Sequence, residues 1–290
     1  LYSLGAKPSE TCVPFLVGNS VRRGDHLAWG GRSAATFANS VLGALTNLEE
    51  PDVVLASAMV GLVPEHGLHL DEARRPTVAV RIPKDMHIEA GRLGQILSGV
   101  VRNEVPVICG THFDMAQARR FVFNLNAEGN VPLAYLRDDP PENVDVMDLD
   151  PGACRYEEAG FQPDLVVLGC PHLSEQEINE WARRLADARS LDMEIWTYTA
   201  QLCHDKCPKT IRPLQLRGKV RTGTCPLADM EDMKGRKVVC DSPVLAECLA
   251  QHRLDVRYLP SEHLAHMIKG YDQSLPQDTC HSNVHISPRP

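Results

Sequence analysis

The fold is decided by the stretch Asp164-Leu165-Val166-Val167-Leu168-Gly169-Cys170-Pro171-His172-Leu173-Ser174. Its first half is an apolar run typical of a buried strand, and Gly169 permits the tight turn that we predict around Cys170. Ser174 and Glu177 match a capping box, which predicts the start of a helix. Strand, turn and helix in this order place a thiol where open α/β sheets bind ligands. A buried cysteine without a function is the alternative, and this stretch alone favours it.

Strands and helices alternate along most of the remaining chain. The predicted strands span residues 77–82, 105–109, 131–135, 165–168, 194–198, 219–222, 237–240 and 255–258. The predicted helices span residues 33–44, 51–62, 88–101, 115–126, 174–189, 244–252 and 261–269. This alternation predicts the α/β class, with helices packed on sheets built from βα units.

The composition changes between residues 137 and 163, which are acidic and contain several prolines. Such a segment is typical of an inter-domain linker. We therefore predict one α/β domain over residues 1–136, a linker over 137–163 and a second α/β domain over 164–270. The polar, proline-containing tail, residues 271–290, is predicted to be disordered.

Composition excludes several classes of function. The chain has 290 residues, 43% of them hydrophobic, and a net charge of −8, which argues against nucleic acid or an anionic membrane as the partner. No apolar run reaches transmembrane length. The first residue is leucine, so we expect the natural start to be missing. The ten cysteines are scattered along a long chain, which indicates reduced thiols and a cytoplasmic location.

Three cysteines lie beside proline near the end of a predicted element. Cys12 is followed by Val13-Pro14 in a loop, Cys170 by Pro171, and Cys225 by Pro226 after a predicted strand. Three thiolates with one open coordination position suit an iron–sulfur site that activates a substrate. If they bind one centre, we expect the three sulfurs to converge.

Other residues offer rival sites. Cys203 and Cys207 flank His204 and resemble half of a zinc site, although two core-facing cysteines of a helix are the favoured interpretation. Four histidines in loops have equal claims as site residues or as ordinary hydrogen-bonded side chains; they are His26, His66, His69 and His172. The charged residues at 71–75 suit carboxylate binding, proton transfer or a solvated helix end.

Several segments resemble the aconitase X family. These segments are Thr11-Cys12-Val13-Pro14-Phe15-Leu16 with Gly18-Asn19, Gly24-Asp25-His26-Leu27-Ala28-Trp29, Phe37-Ala38-Asn39-Ser40-Val41-Leu42-Gly43-Ala44, Gly67-Leu68-His69-Leu70-Asp71-Glu72 and Leu168 to Ser174. The resemblance covers roughly residues 1–270. It implies an aconitase-like, multi-domain α/β/α fold, truncated at the N-terminus.

The resemblance also implies an activity and a site. Members are hydro-lyase large subunits that dehydrate small hydroxy acids, mevalonate 5-phosphate or cis-3-hydroxy-L-proline, and pair with a small swivelling subunit or domain. By motif, an iron–sulfur cluster or a mononuclear iron would be held by Cys12, Cys170 and Cys225. The residues expected to line the pocket as catalytic candidates are Asn39, Ser40, Thr46, Asn47 and His69.

The chain departs from the family pattern at polar positions. Gly31 stands where the family has an acid, and Leu45 and Leu48 stand where it has arginines that suit a carboxylate or phosphate. The segment 121–137 lacks the family's histidine. These losses keep open the hypothesis of a catalytically degenerate paralogue that acts as a binding or partner subunit. The spacing of Cys203 and Cys207 keeps open a third hypothesis, a zinc-stabilised interaction protein.

Overall fold

A computed structural model describes residue 5 and residues 9–84, 86–126, 129–150, 161–186 and 193–269. The predicted disordered tail, residues 271–290, lies outside the described residues. Contacts within the chain divide it into two units. Unit 1 comprises the described residues up to Asn19 together with residues 161–269, and unit 2 comprises residues 20–150.

Unit 2 is built on a four-stranded parallel sheet with the strand order β3-β2-β1-β4. Its strands are β1 (Val78–Arg81), β2 (Pro106–Cys109), β3 (Tyr135–Arg137) and β4 (Asp145–Asp148). Its helices are α1 (Arg32–Phe37), continued by a π-helical turn (Ala38–Leu42), α2 (Pro51–Val60), α3 (Ala90–Val100) and α4 (Met115–Leu125). Short 3₁₀ turns span Gly67–His69 and Asp71–Arg74.

Unit 1 is built on a five-stranded parallel sheet with the order β7-β6-β5-β8-β9. Its strands are β5 (Leu165–Leu173), β6 (Glu194–Thr199), β7 (Gly218–Thr222), β8 (Lys237–Cys240) and β9 (Asp255–Tyr258). Its helices are α5 (Glu175–Ala186), α6 (Gln201–Lys206), α7 (Arg212–Gln215), α8 (Pro243–Gln251) and α9 (Ser261–Ile268), with 3₁₀ turns at Pro14–Leu16 and Met230–Met233.

Strand β5 organises both faces of the unit 1 core. Val166 and Leu168 pack into one hydrophobic cluster with Trp181 of α5. Leu165 and Val167 point the other way and pack into a second cluster with Leu249 of α8. Successive side chains of a strand face opposite sides of the sheet, and helices cover both faces of a parallel sheet. The predicted α/β class, with two parallel sheets and covering helices, is confirmed.

The predicted domain boundaries differ from the two units. Residues 9–19 belong to unit 1, because Val13 is fully buried in the same cluster as Val166 and Leu168. Strand β4 lies inside the predicted linker and pairs with β1. It was missed because Asp145 and Asp148 flank only two apolar residues, and a short, charged edge strand resembles a linker in composition.

Two further elements are shifted or altered. The predicted strand at 131–135 is found at Tyr135–Arg137 instead. Val131, Leu133 and Ala134 are buried, which explains their apolar pattern, but they form no strand pairs. The predicted helix at 33–44 is α1 followed by the π-helical turn, which ends at Gly43 with φ +71°. Within the described ranges, no helix is long and apolar enough to cross a bilayer.

The packing of α3 against α4 predicts a contrast between two glycines of α3. A Cβ on Gly94 would collide with the backbone of Phe121 and Leu125, whereas a Cβ on Gly99 would meet nothing within 4 Å. We expect Gly94→Ala to lower the free energy of unfolding by about 2–3 kcal/mol through overpacking. Gly99→Ala is the matched control and should raise it, by up to about 1 kcal/mol, through helix propensity. Urea unfolding followed by circular dichroism measures both, and an equal effect of the two variants would contradict the described packing.

Candidate functional site

All three candidate ligand cysteines lie in unit 1. Cys12 precedes the 3₁₀ turn Pro14–Leu16, Cys170 lies in β5, and Cys225 follows β7. The strands of this sheet are parallel, so their carboxyl ends share one edge. Cys170 and Cys225 therefore lie toward the same edge of the sheet, which is where open α/β sheets bind ligands.

Cys170 lies within a strand and not in the turn that the sequence predicted. Strand β5 continues to Leu173, but its pairing with β6 is irregular between Leu168 and Leu173. Glycine is required at this irregular position. The φ of Gly169 is +100°, which suits glycine, and a Cβ there would collide with the carbonyl of Tyr198. The predicted capping box is present, since Ser174 and Glu177 exchange hydrogen bonds at the start of α5.

The thiol of Cys170 packs against the second hydrophobic cluster of unit 1, which contains Leu165 and Val167. Burial raises its pKa well above the usual value, the nearby thiol of Cys12 raises it further, and a hydrogen bond with the side chain of Ser242 acts in the opposite direction. The buried Asp241 adds to the increase. At neutral pH the described protein therefore carries Cys170 as a protonated thiol.

His172 joins the loops that carry the cysteines. Its backbone N–H donates to the sulfur of Cys12 at 3.3 Å. Its ring lies 3.0 Å from the hydroxyl oxygen of Thr11 and 2.7 Å from the carbonyl oxygen of Thr224. The sequence offered His172 only as one of several loop histidines, and Ser242 carried no signal apart from its position after a strand.

The predicted convergence of the three sulfurs is only partly present. Among the described residues, no group of three or more His, Cys, Asp or Glu side chains is placed so that it could hold a metal ion. Cys12 and Cys170 are close enough to interact electrostatically, whereas Cys225 is exposed. Cysteine sulfur is the donor of choice for iron–sulfur centres, so the donor set fits such a centre in chemistry without being preassembled.

The rival cysteine pair is structural. Cys203 and Cys207 are 1% and 5% exposed and belong to the core cluster around Val166 and Leu168. The favoured interpretation, core-facing cysteines of a helix, is confirmed for Cys203 in α6 and for Cys207 directly after it. All eight described cysteines are thiols.

The five polar candidates all lie in unit 2. Asn39 and Thr46 are buried and bind each other: the Asn39 amide donates to the Thr46 carbonyl at 2.8 Å, and the Thr46 N–H donates to Oδ1 of Asn39 at 3.0 Å. The hydroxyl of Ser40 accepts from the N–H of Ala134. The polar groups of Asn39, Ser40 and Thr46 therefore bind and position backbone segments of unit 2.

Arg74 is central to the same network. Its guanidinium donates to Oδ1 of Asn39 at 3.0 Å and to the carbonyls of Leu68, Asn39 and Ala44 at 3.1–3.3 Å. The hypothesis of a carboxylate-binding or solvated charge cluster at 71–75 is therefore wrong for Arg74. Its guanidinium binds carbonyl oxygens of its own unit.

His69 and Asn47 lie around the carboxylate of Glu49. The amide of Asn47 donates to Oε1 of Glu49 at 3.0 Å, and Nε2 of His69 lies 3.8 Å from the same oxygen. Nδ1 of His69 is 2.8 Å from Nδ1 of His26, and the two rings are stacked with centroids 5.0 Å apart. One of these two Nδ1 atoms donates and the other accepts.

Burial and the neighbouring His26 lower the pKa of His69, and Glu49 offsets part of this effect. The unfolded chain therefore binds a proton at His69 more readily than the folded chain does. We expect stability to be complete above about pH 6.5, the pKa of unperturbed histidine, and to fall as the pH drops below it. Thermal unfolding between pH 7.5 and 5 measures this slope.

His69→Gln should flatten that slope. His112 is the matched control, because it is exposed on the same unit and pairs only with the exposed Asp138 in the described contacts. His112→Gln should leave the slope unchanged. A slope that is the same in all three proteins would show that His69 is not the buried group responsible.

The comparisons with known proteins first define the class: a parallel α/β protein with the aconitase X architecture. A crystal structure of Thermococcus kodakaraensis aconitase X in its holo-form matches with a TM-score of 0.80 and 25% identity, covering 91% of this chain and 73% of that chain. The model of the aconitase X first domain matches residues 1–72, and that of the third domain matches residues 163–282.

The chain belongs to the aconitase X family, since these two domain models together match more than half of it. The phosphomevalonate dehydratase large subunit of Methanosarcina mazei is 31% identical over 77% of this chain. The cis-3-hydroxy-L-proline dehydratase of Pseudomonas aeruginosa is 29% identical over 62% of it. The chain spans 59% of the length of the first relative and 35% of the second.

Proposed function

We propose that the chain is the catalytic large-subunit portion of a hydro-lyase that removes water from a small hydroxy acid. The observation that carries the proposal is the linkage of the Cys12 loop, the Cys170 segment and the Cys225 loop through His172. The membership of a family whose curated relatives are dehydratases supports the same reaction class.

Cys12, Cys170 and Cys225 would hold the iron or iron–sulfur centre. Bound there with one open position, such a centre supplies a Lewis acid for the substrate hydroxyl. The chain's own contribution is to bring the thiols together and to shield one of them. Ser242 fixes the Cys170 thiol by a hydrogen bond, and the N–H of His172 fixes the sulfur of Cys12.

The five polar residues of unit 2 divide by role in this proposal. Asn39, Ser40 and Thr46 shape the backbone, since their polar groups bind it. Asn47 also binds backbone, since its amide donates to the His66 carbonyl and accepts from the Leu68 N–H, so His69 remains the better candidate for direct contact with a ligand. The lowered pKa of His69 keeps its imidazole neutral near pH 7 and able to accept a proton.

The names of the relatives support the proposed substrate class and partner. Phosphomevalonate and cis-3-hydroxy-L-proline are the substrates in their names, and both are small hydroxy acids. The name "large subunit" supports a small partner subunit. A net charge of −8 disfavours nucleic acid, and the described thiols favour the cytoplasm.

A second candidate is a paralogue that binds a partner without catalysing. Gly31 precedes α1 without a side-chain cap, and Leu45 uses its backbone to pair with Asp25 and Leu27. Neither position offers a charged group for a carboxylate or phosphate. Arg74, which could have replaced the lost arginines, is held by carbonyl oxygens.

Anaerobic reconstitution tests these proposals. The 290-residue chain is loaded with iron and sulfide, mixed with the small subunit of a relative, and assayed for dehydration of both named substrates. Dehydration that depends on iron supports the hydro-lyase. Iron binding and partner binding without turnover support the degenerate paralogue, and the absence of iron binding contradicts the metal assignment.

A further inference from the structure

The imidazole of His172 bridges two loops that are far apart in sequence. Nδ1 lies 3.0 Å from the Thr11 hydroxyl, and Nε2 lies 2.7 Å from the Thr224 carbonyl. His172 is 1% exposed. Thr11 directly precedes Cys12, and Thr224 directly precedes Cys225. The ring therefore connects the residues next to two of the proposed ligands.

The partners fix the tautomer of the ring. A carbonyl oxygen only accepts, so Nε2 carries a hydrogen and donates it to Thr224. The Thr11 hydroxyl then donates to Nδ1, while its oxygen accepts from the N–H of Val13 at 3.2 Å. A continuous series of hydrogen bonds runs from Val13 through Thr11 and His172 to Thr224. A part-buried series of hydrogen bonds of this kind favours one geometry.

The same residue also contacts Cys12 directly and lies close to Cys170 in the chain. Its backbone N–H donates to the sulfur of Cys12, and it lies two residues after Cys170 in β5. Both ring nitrogens are already engaged, so the imidazole is not itself available as a metal ligand.

We propose that His172 is the positioning residue of the thiol set. Its two ring nitrogens hold the Cys12 loop and the Cys225 loop beside Cys170, so that the three thiols can close on one centre. The inference rests on the proposed function, because this positioning serves iron binding only if the thiols bind iron. It assigns a role to a residue outside the ligand set, by the logic through which outer hydrogen bonds orient metal ligands.

Two substitutions test the two hydrogen bonds of the His172 ring separately. The Oδ1 atom of asparagine occupies roughly the place of Nδ1, so His172→Asn can keep the Thr11 contact but loses Thr224. The Nε2 atom of glutamine reaches roughly as far as Nε2 of histidine, so His172→Gln can keep the Thr224 contact but loses Thr11. His252 is exposed and bonds within α8 through Cys248, so His252→Asn and His252→Gln are the matched controls.

Hydrogen–deuterium exchange of the iron-free 290-residue chain tests each of these two hydrogen bonds directly. His172→Asn should speed amide exchange about three- to tenfold in residues 222–228 and leave exchange in residues 9–17 unchanged. This factor corresponds to the free energy that one hydrogen bond contributes. His172→Gln should show the opposite pattern. Both variants should weaken iron binding by roughly 10–100-fold, as losses of outer-shell partners do, while the His252 variants match the wild type.

Exchange that rises equally across all of unit 1 would overturn the inference, because His172 would then be only a core residue. Unchanged exchange in both segments would overturn it as well. If the wild-type chain takes up no iron, the proposed function fails. The exchange pattern then still decides whether His172 joins the two loops.

Discussion

Replacing Cys170 by serine should abolish iron binding while leaving unit 1 folded. Serine is close in size to cysteine and can keep the hydrogen bond with Ser242, but a hydroxyl is a poor replacement for a thiolate in an iron–sulfur centre. The loss of an outer-shell partner costs 10–100-fold in affinity, so the loss of a ligand should cost more than about 100-fold. Iron and sulfide analysis after anaerobic reconstitution measures the change.

Cys248→Ser is the control for this experiment. Cys248 is a partly buried thiol on α8 of the same unit, outside the three proposed ligands. It should leave the iron content and the visible absorbance at the wild-type values. Equal iron content in the two variants would contradict the ligand assignment, because Cys170 would then be an inert thiol.

Replacing Arg74 by leucine should produce the largest loss of stability in unit 2. The guanidinium binds Oδ1 of Asn39 and three carbonyl oxygens. Leucine removes this donor from all four acceptors, although Oδ1 of Asn39 keeps the N–H of Thr46. Hydrogen bonds to a charged group contribute about 1.5–3 kcal/mol each without adding fully. We expect a decrease of about 3–4 kcal/mol in the free energy of unfolding, measured by urea unfolding.

Arg75→Leu is the matched control, because Arg75 is the next residue and is exposed. Surface substitutions usually change stability by less than about 0.5 kcal/mol. A similar effect of both variants would show that the Arg74 network is not what holds the Asn39 segment.

The local features of the fold could be predicted because short-range patterns encode them. The apolar run at 165–168 predicted a buried strand, and β5 occupies it. Ser174 and Glu177 predicted a capping box three residues apart, and the hydrogen bonds are present. Each depends on neighbours in sequence, where propensity and hydrogen bonding act directly.

The features that were missed depend on contacts between distant residues. Val13 joins the core around Val166, so residues 9–19 belong with unit 1 and not with the segment that follows them. The partners of His172 are 161 and 52 residues away. Periodicity carries no information on such pairs, and a histidine in a loop looks the same whether it is exposed or buried between two loops.

Arg74 shows the same limit within a short segment. Asp71, Glu72 and Arg75 are exposed, as a solvated cluster predicts. The 3₁₀ turn Asp71–Arg74 directs the guanidinium of Arg74 toward Asn39 instead. Composition alone could not separate this arginine from its neighbours, because its acceptors are three backbone carbonyls and one side-chain amide oxygen in the segment 39–68.

X-ray absorption at the iron edge of the anaerobically loaded chain tests the central claim most directly. If Cys12, Cys170 and Cys225 hold one centre, the wild type should show three cysteine sulfurs per centre, and Cys225→Ser should lose one of them. Iron surrounded only by nitrogen and oxygen, or an unchanged sulfur shell in Cys225→Ser, would contradict the account.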